Sequence, residues 1–166
     1  MNAVVRPAEA GDAHALVELA REVGEEREAW LLTSGEWRTP AEERRYLRAV
    51  RRSRDAAVFV AEDNGGVVGR LSVARDPHPS SHHVADLGLM ISRSHRRRGI
   101  GLALMEAAEG WARSVGIEKL ELHVFPHNAP ARAFYARLGY RDEGLRRRHY
   151  RRGADYLDAI LMAKDV

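Results

Sequence analysis

The 166-residue sequence contains no cysteine. Disulfides, thiolate zinc sites and thiol nucleophiles are therefore excluded. No run of about 18 apolar residues occurs, so no transmembrane helix and no membrane partner are expected. The amino end, MNAVVRPAEAGDAH, has no apolar stretch and is not a secretory signal. A cysteine-free chain without such a signal is expected to be cytoplasmic. Lysine is scarce too: Lys119 and Lys164 are the only lysines among 27 basic residues. The positive charge thus sits almost wholly on guanidinium forks, which suit carboxylates and phosphates better than ammonium groups do. The arginines concentrate at 93–98 (RSHRRR) and 146–152 (RRRHYRR), and the net charge is only +3. Two short clusters do not make the continuous basic face a nucleic-acid binder needs, so no nucleic-acid partner is expected. No repeat, low-complexity segment or linker divides the chain, which points to a single domain over 1–166. A homodimer is left open.

The patterning predicts a β-α-α-β-β-β-α-β-α-β-β order. A short strand covers 3–6. Asp12 opens a helix with Ala15, Leu16, Leu19, Ala20 and Val23 at helical spacing, and a loop runs from Trp30 to Trp37. Thr39-Pro40 reads as an N-cap followed by a first-turn proline, with Tyr46, Leu47 and Val50 on one face of the helix. Strands 56–63 and 67–76 flank the turn Asn64-Gly65-Gly66, and 82–92 is a further strand. Helix 99–115, strand 119–125 and helix 128–138 (closed by Gly139) follow, then two strands within 140–163 around Arg152-Gly153. This order implies an α+β (mixed α/β) layered domain.

The most informative stretch is LGLMISRSHRRRGIGLALMEAAEGWA at 87–112. An apolar strand runs into an arginine-rich turn, and Gly99-Ile100-Gly101 opens an amphipathic helix. Glycine lets a ligand approach the backbone, and the amino end of a helix favours anions. The dinucleotide pattern G-x-G-x-x-G fails at Leu104, and the Gly-Lys-Ser/Thr of a Walker loop is absent. His78, His82, His83 and His95 lack metal-ligand spacing, so no metal is expected.

Arg96-x-x-Gly99-x-Gly101 resembles the Arg/Gln-x-x-Gly-x-Gly/Ala signature of the GCN5-related N-acetyltransferase (GNAT) superfamily, and NAPARAFYARLGYRDEG at 128–144 resembles that family's second motif. HVADLGLMIS, ELHVFPHNAPARAFY and GYRDEGLRRRHYRRGADYLDAILMAK are more narrowly similar to bacterial L-amino acid N-acetyltransferases. The resemblance implies a central, mostly antiparallel sheet with a splayed strand pair and flanking helices. It also implies acetyl-CoA as co-substrate and a small-molecule amine as acceptor. Cofactor contacts carry over to the backbone at Ile91, Arg96, Arg98, Gly99, Gly101 and Leu102 and to Asn128. The N–H of Met90 or Ile91 would polarise the thioester carbonyl. Tyr135, two helical turns after Asn128, is the candidate general acid, with Phe134 as its core-filling neighbour. Asp86 and His123 are the candidates for handling the amine proton, with a water chain as the third possibility. Trp30 and Trp37 could wall the acceptor site. A polyamine acetyltransferase would need several carboxylates, which Glu22, Glu25, Glu26 and Glu28 could supply. A ribosomal-protein N-terminal acetyltransferase and a non-catalytic acyl-CoA sensor would carry the same motifs.

Overall fold

The computed structural model describes residues 3–31 and 37–166. The order is β1 (Val4–Pro7), α1 (Ala13–Gly24), α2 (Pro40–Arg52), β2 (Ala56–Asp63), β3 (Gly66–Arg75) and β4 (Val84–Ile91). Then come α3 (Ile100–Ser114), β5 (Lys119–Val124), α4 (Ala129–Arg137), β6 (Arg141–Arg152) and β7 (Asp155–Asp165). The seven strands form one sheet in the order β1-β2-β3-β4-β5-β7-β6, and only β4 and β5 run parallel. The predicted element order and α+β class hold, with ends moved by one or two residues. Of the loop expected between Trp30 and Trp37, residues 32–36 lie outside the described residues.

Local chemistry accounts for the element ends. Glu42 accepts from the Thr39 N–H (2.8 Å) and donates its own N–H to Thr39 Oγ1 (3.3 Å), a capping box that starts α2 at Pro40. Asn64 and Gly65, at φ 50° and 78°, form the tight β2–β3 turn. Asp12 behaves differently from expectation. It ends a short 3-10 turn, and its carboxylate takes both Arg6 Nη atoms (2.8 and 2.9 Å) and the Glu9 N–H (2.7 Å) instead of capping α1.

Two apolar layers sandwich the sheet. Leu104, Met105 and Ala108 of α3 pack on Leu71, Leu87, Leu120 and Leu122. On the opposite face Leu16 of α1 and Leu47 of α2 pack on Val58 and Val60. Strand alternation then decides which side chains stay free for chemistry. In β5 the residues Leu120, Leu122 and Val124 are buried toward α3, which turns Glu121 and His123 to the other face.

The site-forming feature is the short β4–β5 pairing. It consists of Val84–Lys119, Ala85–Leu120 and Asp86–Glu121 and stops there. Beyond it β4 pairs only with β3 and β5 only with β7, so the sheet opens as a wedge.

Candidate active site

Gly99 is the residue before α3 and sits at φ 82°, with nothing within 4 Å of where a Cβ would be. Backbone conformation alone therefore calls for glycine there. Gly101 differs. A Cβ would lie 3.1 Å from Phe134 Cζ and 3.2 Å from Ile91 Cδ1, so the missing side chain lets α3 close onto α4 and β4. The first N–H groups of a helix have no partner within it. Here Gly99, Gly101 and Leu102 line a cleft of about 1050 Å³, so the amino end of α3 opens onto it. Leu102 is 43% exposed.

The Arg96 side chain is committed elsewhere. Its Nε donates to the Ile91 carbonyl (3.0 Å), and its two Nη atoms donate to Glu26 (2.8 and 2.5 Å). Glu26 neutralises it, and the pair ties the segment after α1 to the turn after β4. Arg97 (φ 60°) lines the cleft as well, whereas Arg98 is exposed and not part of its wall.

The same cleft enters the β4–β5 wedge, where Leu87 to Ile91 face His123 and Val124. Hydrogen-bond alternation decides which N–H groups point into it. Ser92 donates to the Val68 carbonyl and Asp76 to the Val84 carbonyl, both at 2.9 Å. Residues 84, 86, 88, 90 and 92 therefore turn their backbone groups to β3, and Leu87, Leu89 and Ile91 turn theirs to the wedge. Of the two expected donors, Ile91 faces the opening. The Met90 N–H points to β3, and its side chain is buried against Leu19, Ala20 and Val23 of α1.

On α4, Asn128 Oδ1 accepts from the Ala131 N–H (3.2 Å), an N-cap that leaves its amide NH2 free of that bond. Asn128 and Tyr135 both line the cleft, as their two-turn spacing requires. The Phe134–Tyr135 pair reverses the expectation of which ring is core. Tyr135 is 7% exposed and packs against the Phe134 and Tyr140 rings, whereas Phe134 is half-buried over Gly101. Burial raises the Tyr135 pKa, so the phenol stays protonated throughout the neutral range.

On the sheet face opposite α3, polar groups gather beside the wedge. His123 Nδ1 and Tyr150 Oη are 2.7 Å apart, and His123 Nε2 is buried without a hydrogen-bond partner. Burial first, then Arg146 and His149, lower the His123 pKa and favour the neutral ring. Asp86 stands beside Glu121 across the last β4–β5 pair. The residue is exposed, yet desolvation of its carboxyl by the surrounding protein raises its pKa to about 6. Glu121 adds to the rise and Arg146 opposes it. Asp86 is not in the cleft wall itself. It acts electrostatically on Tyr150, whose pKa is raised mainly by burial and secondarily by Asp86.

Comparison with known proteins agrees with this geometry. The family model of the acetyltransferase (GNAT) family matches residues 19–140. The chain belongs to the GNAT acetyltransferase family. It is 36% identical over 110 residues to the L-amino acid N-acetyltransferase AaaT of Escherichia coli (strain K12), covering 64% of this chain and 66% of that protein. The chain thus spans just under two thirds of that relative's length. Its structure is similar to a GNAT-family acetyltransferase from Streptococcus pneumoniae (TM-score 0.89, 28% identity, 99% of this chain and 100% of that one). It also shares its fold with a phosphinothricin acetyltransferase from Sinorhizobium meliloti in complex with acetyl-CoA (TM-score 0.86, 21% identity, 100% and 89% covered).

In this GNAT acetyltransferase the residues present fit that cofactor. Gly99 in the left-handed region and the open amino end of α3 suit a pyrophosphate, and the wedge continues from there to His123. The acidic run at the end of α1 and beyond it is largely engaged, although Glu28 Oε2 is buried without a partner. Glu22 accepts from Ser92 Oγ (2.8 Å), Glu26 holds Arg96, Glu25 lies 3.9 Å from Arg21, and Glu28 lies 3.4 Å from Arg93. Across the cleft, Arg152 Nη2 donates to the Leu31 carbonyl (2.5 Å), and His127 Nε2 lies 3.0 Å from the Glu28 carbonyl. Residues 28–31 are thereby tied across the cleft to β6 and to the turn before α4.

Sequence reasoning missed Tyr150 and Arg70. A two-residue bulge in β6, between Arg146–Ala159 and Tyr150–Leu157, brings Tyr150 to His123. Arg148 at φ 51°, whose N–H donates to Asp158 (2.8 Å), marks the bulge. No pattern in RRRHYRR announces it. Arg70 sits inside an apolar strand run and is 5% exposed in the cleft wall. A lone charge within that run was the available signal. Among the described residues no cluster of His, Asp or Glu could hold a metal, and no helix is long and apolar enough to cross a membrane.

Proposed function

We propose that the protein transfers the acetyl group of acetyl-CoA to the amine of a free L-amino acid with an apolar side chain. The observation that carries this reading is the single cleft running from the amino end of α3, through the β4–β5 wedge, to His123. Acetyl-CoA supplies an activated acyl thioester there. The Ile91 N–H is a preorganised donor for the negative charge that develops at the thioester oxygen. In the tautomer that donates Nδ1–H to Tyr150, His123 Nε2 is the unprotonated, unpartnered nitrogen that accepts the amine proton. The amine nitrogen bonds to the acyl carbon as the carbon–sulfur bond breaks. Tyr135 donates its proton to the departing sulfur, and the Asp86 charge helps keep the Tyr150 hydroxyl protonated beside His123. Asn128, Gly99, Gly101 and Leu102 hold the cofactor, and the Arg96–Glu26 pair fixes the turn that carries them.

Three observations support a free amino acid. The similarity to an L-amino acid N-acetyltransferase is one. The largely engaged acidic run leaves little to hold a polyamine, and the tie between Arg152 and Leu31 across the cleft favours a small acceptor over a polypeptide end. Thiol release from acetyl-CoA, measured with L-phenylalanine or L-methionine, spermidine, and a peptide beginning with alanine, tests the reading. Turnover with the amino acids and not the others is expected. A spermidine or peptide preference overturns the acceptor, and no release with any amine leaves a binding protein.

A further inference from the structure

One wall of the cleft holds a buried charge cluster that the transfer chemistry does not use. Arg70 on β3 shares a sheet face with Ser72 and lies beside Met90 of β4. Its guanidinium lies 3.6 Å from Glu43 Oε1, 3.3 Å from Ser72 Oγ and 5.1 Å from the centre of the Trp37 ring. Glu43 is fully buried and also accepts from Arg38 at 3.0 Å. One carboxylate therefore serves two guanidiniums, and the only other side chain that favours the Arg70 charge among the main influences on it is the Tyr46 hydroxyl, which is no full counter-charge. Arg70 Nε and the Trp37 indole N–H are buried without acceptors, and both residues line the cleft. Glu43 Oε1 has no hydrogen bond either and stays at ion-pair distance. A buried guanidinium short of counter-charge, beside unmatched donors, is costly unless an anion completes the site.

We propose that Arg70, with Trp37 and Ser72, binds the α-carboxylate of the acceptor. This inference rests on the amino-acid reading of the site and names the group that recognises the acid. The planar fork matches a carboxylate bidentately, and the Trp37 ring holds its plane. Arg70 lies on β3 and His123 on β5, two strand spacings apart, or about 10 Å where strands pair. An acid anchored at Arg70 has its amine directed across β4 toward the wedge. The cofactor phosphates belong at the amino end of α3, on a different wall, so Arg70 is not one of their ligands.

The test compares kcat/KM for L-phenylalanine and for L-phenylalaninamide, with acetyl-CoA, in the wild type, Arg70→Met and Arg70→Lys. The wild type prefers the acid. In Arg70→Met the acid/amide ratio falls by about 10- to 150-fold, the worth of hydrogen bonds to a charged group. Arg70→Lys, which keeps charge without the fork, lies between the two and supplies the readout if the methionine variant does not fold. Calorimetric titration with acetyl-CoA verifies that each variant retains its cofactor site. A ratio unchanged in variants that bind acetyl-CoA overturns the anchor alone. A wild type that acetylates neither compound overturns the amino-acid reading and the anchor with it.

Discussion

Tyr135→Phe isolates one hydroxyl in an otherwise preserved environment. The ring is 7% exposed and lies 5.3 Å from the Phe134 ring and 5.9 Å from the Tyr140 ring, centre to centre. Phenylalanine keeps both contacts, so the fold and the cofactor cradle should survive. What disappears is a phenol that burial keeps protonated at neutral pH and that faces the wedge. Positioned acid catalysis contributes about 10²–10⁴-fold, equivalent to about 2.7–5.4 kcal/mol in the barrier. The assay is single-turnover thiol release with saturating acetyl-CoA and L-methionine, because slow product release would mask a chemical step in kcat. Tyr140→Phe is the matched control. Tyr140 is 2% exposed and its hydroxyl is buried with no hydrogen-bond partner, so its removal should be neutral or slightly stabilising and leave the rate alone. A wild-type single-turnover rate in Tyr135→Phe would refute the general-acid role.

Gly99→Val forces a β-branched residue to φ 82°, which costs at least about 1–2 kcal/mol in chemical denaturation. The variant should also lose most of the acetyl-CoA stabilisation, about 2.7 kcal/mol at a hundredfold excess over Kd for the wild type; an undiminished ligand shift would remove Gly99 from the cofactor cradle. Asp86, held near pKa 6, should give kcat/KM an acid limb that rises as pH increases through about 6. Desolvation is the larger cause of this rise, and Glu121→Gln removes the like charge that adds to it, so the limb should move part of the way to lower pH. A limb that stays in place would exclude Asp86 as the titrating group.

Periodicity made most of the element order legible, because the inner strands and the helices carry their own burial patterns, whereas β6 is exposed along nearly its whole length. The amphipathic run after Gly99 and the alternating KLELHV segment are the clearest cases. The αL glycine opening α3 could also be read directly, since φ 82° is a local requirement of the backbone. Long-range commitments could not. The Glu26–Arg96 pair joins residues 70 apart, and the Tyr150–His123 contact depends on a bulge whose geometry no local pattern specifies. The missing side chain of Gly101 also makes room for Phe134, a contact 33 positions away that only packing reveals. Which of the Met90 and Ile91 N–H groups points into the wedge follows only from the β3–β4 register, which fixes the parity of the hydrogen bonds.

An internal competition tests the central claim most directly. L-methionine, spermidine and an alanine-initiated peptide, at equal concentrations with limiting acetyl-CoA, divide the acetyl group in proportion to their kcat/KM values. The acetylated products are counted by mass spectrometry. The cleft geometry, with its cofactor wedge, its Arg152–Leu31 tie and its largely engaged acidic run, predicts N-acetylmethionine as the dominant product. Predominant acetylspermidine or acetylated peptide would contradict it.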